Sequence, residues 1–474
     1  MVAVCLGPVL SIDLWLHLAV GRQIVTEQAI PTTDSFSHTA AGKPFVAHEW
    51  LSQVILYELY RLGGKGAMVA LKLVLGLAAF GLLYLLAFRR SGEPLVAAGL
   101  VVLAALCARP YLDYRPTMFS LVFFAGLLLL LERLRSRPPR QVWWVPACVG
   151  CFALWMNLHG AAVSGIVLLA AVLAAEAVSW WVGVGERQEQ GNLLPLLATG
   201  LPAAIAGACL NPRGWRALAY PLQLGTSQLA LKNVNEWLSP DFQNWEMRAF
   251  EVLLLIGFGL LLVPRAQRRL SDIGLLVLFA HAALISKRHS VLFAWIAVGA
   301  YAGLAAGAAA ELRVLLSGPH GRLAWASLGL AFALPCLACS WRLLPTEDVV
   351  ATALGMRYLP AEATDFIEKE RPAGKMFNLY EWGGYLMFFA PEIPVFVDGR
   401  GDVYEGPPFV DYMELWYGHP GWQERLAHYG VGFALLKPDS ALRAALRESG
   451  QWREAHVDDV AVVVVRKQPP AEVE

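Results

Sequence analysis

The stretch that decides the fold reads Asp13-Leu-Trp15-Leu-His17, then Gly21-Arg22-Gln-Ile24, then Pro31-Thr-Thr-Asp34-Ser-Phe36-Ser37, then Gly42-Lys-Pro44-Phe-Val-Ala-His48-Glu49-Trp50. Acids and histidines stand on both sides of a Pro/Gly/Ser/Thr loop, in a chain that is otherwise mostly apolar helix. This polar cluster follows the first apolar run directly. Such a placement points to a site at a membrane surface.

Composition sets the frame. Of 474 residues, 57% are apolar and 16% charged, with a mean hydropathy of +0.49. That profile is a polytopic membrane protein's rather than a soluble domain's. The formal net charge is zero, which gives no electrostatic argument for a nucleic-acid partner. The seven cysteines, at 5, 107, 148, 151, 209, 336 and 339, lie in or beside apolar runs. The pairs Cys148/Cys151 and Cys336/Cys339 have metal-like spacing but no histidine or polar loop nearby, so they read as buried thiols.

The first apolar run, 1–12, makes only about 18 Å of helix against a hydrocarbon core of about 30 Å. It lacks the basic start and small-residue cleavage site of a signal peptide, and reads as a truncated span or a late start. Residues 14–28 are expected as an amphipathic helix, 29–47 as a loop and 48–62 as a second helix. Leu51, Ile55, Leu56, Leu59 and Leu62 give that second helix an apolar face suited to lying along the interface. Ten further apolar runs follow, at 66–88, 94–111, 117–132, 142–157, 160–182, 193–210, 248–263, 272–286, 289–309 and 323–343. The expectation is a mainly α polytopic fold with about eleven transmembrane helices.

The connections alternate in character. One set is Arg-rich and plain, around Arg89-Arg90, Arg133 to Arg140, Arg187, Arg265 to Arg269 and Arg313/Arg322. By the positive-inside rule these are cytoplasmic. The other set carries motifs: Arg109-Pro-Tyr-Leu-Asp113-Tyr-Arg115-Pro116, Trp155-Met-Asn157-Leu-His159-Gly160, Asn211-Pro-Arg213-Gly214-Trp215, Glu236-Trp237-Leu-Ser-Pro240 and Lys287-Arg288-His289. These, the loop 13–65 and the C-terminus then face outward.

After Pro345 charge rises and the apolar runs shrink to strand length. Strands are expected at Met376–Leu379, Val395–Val397, Phe433–Leu436 and Val460–Val465, and helices at Trp382–Phe389, Pro408–Trp416, Trp422–Tyr429 and Ala441–Glu448. This alternation argues a small α/β domain over 346–474, with a largely parallel sheet and the final Val-rich strand at an antiparallel edge. Gln468–Glu474 reads as a frayed tail.

Three groups of residues suggest chemistry. Asp13 and His17 share a helical face, and His48 with Glu49 can return to the same pocket, where a carboxylate accepts a proton or binds a divalent cation. Asp13 as a helix cap and Trp15 and Trp50 as interface aromatics explain the same residues without chemistry. Arg115, Arg213 and Arg288, with Asp113, His159 and His289, suit a lipid phosphate held by guanidinium forks. Snorkelling to headgroups is the competing account. Trp382-Gly383-Gly384-Tyr385 and Asp398-Gly399-Arg400 form the third group, at the carboxyl end of a strand. The competing account there is a structural Asp–Arg pair. His281 and Glu176 fall within spans, with Glu176 near enough to the cytoplasmic end to reach water. No Walker A, GxGxxG, GxSxG or HExxH pattern occurs.

An acid just outside the first span, interfacial helices in the first outer loop, many spans and a C-terminal α/β domain resemble glycosyltransferase superfamily C. Asp13-x-Trp15-x-His17, Pro31-x-x-Asp34-x-Phe36-Ser37, His48-Glu49-Trp50-Leu51, Trp382-Gly383-Gly384-Tyr385 and Asp398-Gly399-Arg400 resemble a bacterial branch of it. The resemblance implies a polyprenyl-phosphate or diphosphate sugar donor and a glycan, lipid or protein acceptor on the extracytoplasmic face of the bacterial plasma membrane. It gives Asp13 the first-loop acidic role, as general base or ligand of Mg2+ or Mn2+, and leaves Asp113 as a candidate second acid. Arg115 and Arg288 would neutralise the leaving phosphate, while His48, Glu49 and His159 position sugar or acceptor. His17, Asp34, Asn157, His289, Trp382, Asp398 and Arg400 complete the expected substrate-binding set. A lipid-substrate transporter and a non-catalytic envelope scaffold are the other readings.

Overall fold

The computed structural model describes residues 12–224, 235–261, 269–315 and 356–467. The apolar runs at 1–12 and 323–343 and the tail 468–474 lie outside them, as do Cys5, Cys336 and Cys339. The chain is mainly helical with a small C-terminal sheet. Among the described residues it forms two compact units, 69–315 and 12–68 with 356–467. The sequence reading grouped 13–65 with the spans; packing groups it with the C-terminal part. Helix α1 (Ile12–Glu27) is the reason. Expected as amphipathic, it is buried on every side from Leu14 to Gly21 and packs on a helix of the C-terminal part.

The membrane unit takes up its helices in chain order. Helix α2 (Trp50–Ser91) is broken at Gly64, whose φ of 56° and ψ of −149° are non-helical. A residue with a Cβ resists that conformation, so the glycine separates the expected interfacial helix from the span after it. Next come α3 (Pro94–Ala108), α4 (Thr117–Ser136), α5 (Gln141–Leu158), α6 (Ala162–Val182), α7 (Arg187–Ala208) and α8 (Arg216–Leu224). Then follow α9 (Arg248–Leu261), α10 (Leu270–Ile285) and α11 (Ser290–Leu315). Among the described residues, seven helices are long and apolar enough to cross a membrane. Helix α10 is apolar but shorter.

Small residues let these helices approach. A Cβ on Gly207 would stand 2.3 Å from the Val149 carbonyl oxygen, so α7 meets α5 backbone to backbone. Gly299 and Gly303 on α11 likewise leave room for the Arg90 guanidinium.

The arginines expected as a plain cytoplasmic set are partly buried and paired. Arg90 forks onto Asp272 at 2.9 and 2.5 Å, and Arg135 meets Glu176 at 2.5 Å. Arg269 meets Glu132 at 2.6 Å and Glu189 at 3.5 Å. Glu176 therefore does not reach water: it is 3% exposed and held by Arg135. His281 is exposed.

The second unit continues with α12 (Ala361–Glu370), β1 (Lys375–Asn378), α13 (Tyr380–Phe389), α14 (Pro407–Trp416), α15 (Trp422–His428), β2 (Val431–Leu436), α16 (Ala441–Glu448), β3 (Trp452–Val457) and β4 (Val462–Arg466). The sheet order is β1-β2-β4-β3. Only β1/β2 is parallel; β2/β4 and β3/β4 are antiparallel. The expected edge strand, β4, is thus internal. Strand β3 takes the edge, and its Arg453, Glu454 and His456 hid it from a hydrophobic pattern; charge on an edge strand blocks further pairing. Val395–Val397 does not join this sheet. Val395 instead exchanges backbone hydrogen bonds with Phe36 and His38 at 3.0 Å, pinning the Pro/Ser/Thr loop to the C-terminal part.

Candidate functional site

In the second unit the site grows from α1. Asp13 lies in its first turn, inside the helix rather than capping it, where a carboxylate is favoured by the helix dipole. His17 is one turn further on. Its Nδ1 meets Gln53 Nε2 at 3.3 Å and its Nε2 stands 4.0 Å from Glu49. His48 Nε2 is 3.4 Å from the same carboxylate. Helix α1 can come this close to α2 because residue 21 is glycine: a Cβ there would be 2.1 Å from the Gln53 carbonyl oxygen. His17 and His48 thus both approach Glu49. Gln53, which the sequence reading missed, lies one helical turn after Glu49.

The other wall is the Asp398-Gly399-Arg400 turn. A Cβ on Gly399 would stand 2.6 Å from Asp13 Oδ1, so the carboxylate lies against glycine backbone. Arg400 fixes this turn. Its guanidinium forks onto Asp398 at 2.8 and 2.6 Å and reaches Asp34 at 2.7 Å. The rings of Phe36 and Phe45 lie 5.1 and 4.8 Å from it. Tyr404 donates to Asp398 at 2.5 Å, and Asp34 also accepts from Ser37 at 2.6 Å. Asp34, Asp398 and Arg400 are buried. A buried ion pair is tolerated when its groups are hydrogen-bonded in this way; among the described residues, only Nη1 of the guanidinium nitrogens is without such a partner. Asp34 and Arg400 therefore tie the polar loop to the turn. Trp382, also buried, donates to the Tyr358 carbonyl at 3.1 Å and serves packing.

Electrostatics follow the geometry. Burial opposes the Asp398 charge, but Arg400 and the Tyr404 hydroxyl outweigh it and hold the carboxyl below its ordinary range. Burial also opposes charge on His48; Glu49, the Val46 carbonyl and Asp402 prevail and raise its pKa above 6.5. Asp402, within the same Gly-rich turn, was not singled out from the sequence.

The membrane unit has its own cluster. Arg115 pairs with Asp113 at 2.8 Å and with Glu236 at 2.7 Å. Asp113 also accepts from the Tyr114 amide. Arg288 stacks on Trp237, 4.4 Å from the ring centroid. Burial disfavours the Glu236 charge, but Arg115 and Arg288 lower its pKa. Arg115 and Arg288 thus come together around an acid the sequence had shown only as part of a turn. His159 instead binds Ser120 at 2.7 Å, and Asn157 binds Asn211 at 3.2 Å, so both link helix ends. His289 sits in a short turn before α11, its amide bonded to Ser286.

No family model matches this chain, and no curated protein matches it. Solved structures do. The oligosaccharyltransferase of Archaeoglobus fulgidus, tethered to an acceptor peptide containing the NVT sequon, aligns at TM-score 0.60 and 12% identity, over 92% of this chain and 68% of that one. Its apo form aligns at 0.57 and 12%, over 91% and 66%. The chain spans about two thirds of the archaeal enzyme's length. ArnT from Cupriavidus metallidurans in the apo state aligns at 0.54 and 16%, over 98% and 95%. The chain shares its fold with these two proteins.

The donors near Asp13 bear on whether a divalent cation fits there. Carboxylate and imidazole ligands are present, but among the described residues the one group of three such side chains with ligand atoms within 4.8 Å does not include Asp13. Among the described residues, the arrangement at Asp13 is not a preformed three-ligand metal centre.

Proposed function

We propose that the protein is a membrane glycosyltransferase that moves a sugar from a polyprenyl-phosphate or diphosphate donor to an acceptor on the extracytoplasmic face. The observation that carries this reading is the Asp13 carboxylate held against Gly399, one helical turn from His17, in a fold shared with an oligosaccharyltransferase and ArnT. The acceptor's nucleophile attacks the anomeric carbon and its proton passes to Asp13. The bond from that carbon to the phosphate oxygen breaks, and the electron pair leaves with the lipid phosphate. In the membrane unit Arg288 and Arg115, the latter paired with both Asp113 and Glu236, are of the residue type that suits a lipid phosphate. Mg2+ and Mn2+ enter the assay as variables.

The proposed sidedness rests on the arginine-rich connections, with Arg90, Arg135 and Arg269 on the cytoplasmic side of a bacterial plasma membrane. Transport gains no support: Arg90 and Arg135 lie in the last turns of α2 and α4 and Asp272 in the first turn of α10, so these charges mark helix ends and not a path through the midplane.

The test is turnover in membranes with radiolabelled polyprenyl-phosphate sugars. Wild type should release lipid phosphate, Asp13→Asn should abolish release, and Arg288→Ala should weaken it. Undiminished release by Asp13→Asn overturns the assignment. Protection of labelled lipid without turnover by wild type would replace transfer with binding or transport.

A further inference from the structure

A set of metal-ligand side chains lies at a place that the proposed reaction does not use. Glu362, His456 and Asp458 each offer one ligand atom, and these atoms lie within 4.8 Å of one another. They come from two elements. His456 is on β3, the sheet edge farthest in strand order from β1. Asp458 follows in the connection to β4, and Glu362 is in the first turn of α12.

His456 and Asp458 are held by different devices. The β3/β4 register shifts between Glu454 and His456, and a bulge of this kind re-aims the side chain that follows. The His456 ring then stacks on Phe366 of α12, centroids 5.3 Å apart at 25°. Glu362 precedes Phe366 by four residues and so shares its helical face. The Asp458 carboxylate uses Oδ1 to accept from the amides of Val460 and Ala461 at 2.7 Å. That fixes its Oδ2 at 3.0 Å from His456 Nε2.

We infer that Glu362, His456 and Asp458 bind a transition-series divalent cation of the Zn2+ class, joining α12 to the β3/β4 hairpin. Ligand atoms around a tetrahedral Zn2+ with bonds near 2.0–2.1 Å stand about 3.3 Å apart. The 3.0 Å between His456 and Asp458 is close to that spacing, and a small rotation of the exposed Glu362 brings in the third ligand. The imidazole donor selects against Mg2+ and Ca2+, which prefer oxygen alone. Water fills the fourth position. The inference is independent of the glycosyltransferase reading.

The experiment is a calorimetric titration of EDTA-stripped, full-length protein in detergent, free of any polyhistidine tag, with Zn2+ and separately with Ca2+. Wild type should bind a single Zn2+ per chain and melt higher when it is present. Glu362→Gln and His456→Ala should each weaken Zn2+ binding by roughly tenfold or more. Glu362→Gln alters an exposed side chain, so its metal-free melting should match wild type. Absence of Zn2+ binding by wild type, or equal binding by wild type and both variants, overturns the inference. Binding lost in Asp13→Asn but kept in Glu362→Gln would overturn it too, by moving the metal to Asp13.

Discussion

Asp13 and Gly399 are in such close approach that a methyl group on the glycine would stand 2.6 Å from the carboxylate oxygen Oδ1. The acid that opens the first helix is therefore positioned by a turn of the C-terminal part.

Gly399→Ala should separate function from stability. The added methyl meets the end of a side chain, which can rotate away, so the melting temperature should fall by no more than the equivalent of about 1 kcal/mol. The rotation moves the Asp13 carboxylate, and transfer should drop by roughly a hundredfold, as a displacement of about 1 Å does in a positioned site. Parallel melting and turnover measurements check both halves. Full activity would show that the Asp13 position is not critical.

Gly383→Ala should do the opposite. There the methyl would meet backbone, 2.3 Å from the Val397 carbonyl oxygen and 2.5 Å from Asp398 Cα. Backbone cannot rotate aside, so a loss of about 3 kcal/mol or more is expected, read as a lower midpoint in denaturant.

Arg400→Ala should destabilise the second unit by roughly 3–5 kcal/mol, because it strands two buried carboxylates, Asp34 and Asp398. Arg400→Lys should recover little, since one ammonium cannot fork onto Asp398 and reach Asp34. The pH dependence has a definite sign. The folded Asp398 pKa lies below its ordinary 3.8, so its contribution is present above that pH and is lost as acid carries it through the lowered value. Acid melts of wild type should steepen below about pH 4, and Arg400→Ala should lose that component.

His38 governs a milder range of acid. Burial, opposed by its hydrogen bond to the Met376 carbonyl and aided by Lys375, lowers its pKa from 6.5 to about 4. The unfolded chain then binds the proton more readily between those values, so stability is complete above 6.5 and declines as pH falls toward 4. The shift corresponds to roughly 3 kcal/mol. His38→Gln should flatten the melting-temperature profile over that interval and leave the steeper phase due to Asp398.

Much was legible in the sequence where a side chain's role depends on its near neighbours. The apolar runs gave the spans because hydrocarbon demands long uncharged helices. Ala441–Glu448 was placed to the residue by its periodicity. His17 meets Glu49, and His48 the same carboxylate, because Gly21 lets the two helices approach closely. Strand β3 was not legible, because its charges conceal an edge strand, and β4 was misplaced because a Val run announces burial without naming its neighbours. Helix α1 shows the same limit: its residues fix that it is helical, and packing alone decides that it is enclosed.

Taken by itself, the sequence determined the class of the protein, the helical spans, the polar first loop and the residue types available for chemistry. Tertiary structure alone decided the partners. It joined Asp34 and Arg400 in a buried ion pair, brought Glu236 between Arg115 and Arg288, set Asp13 against Gly399 and grouped Glu362 with His456 and Asp458. Hydrophobic patterning fixes which face of an element is covered. It holds no information on which distant charge or backbone atom does the covering, and that depends on how the whole chain packs.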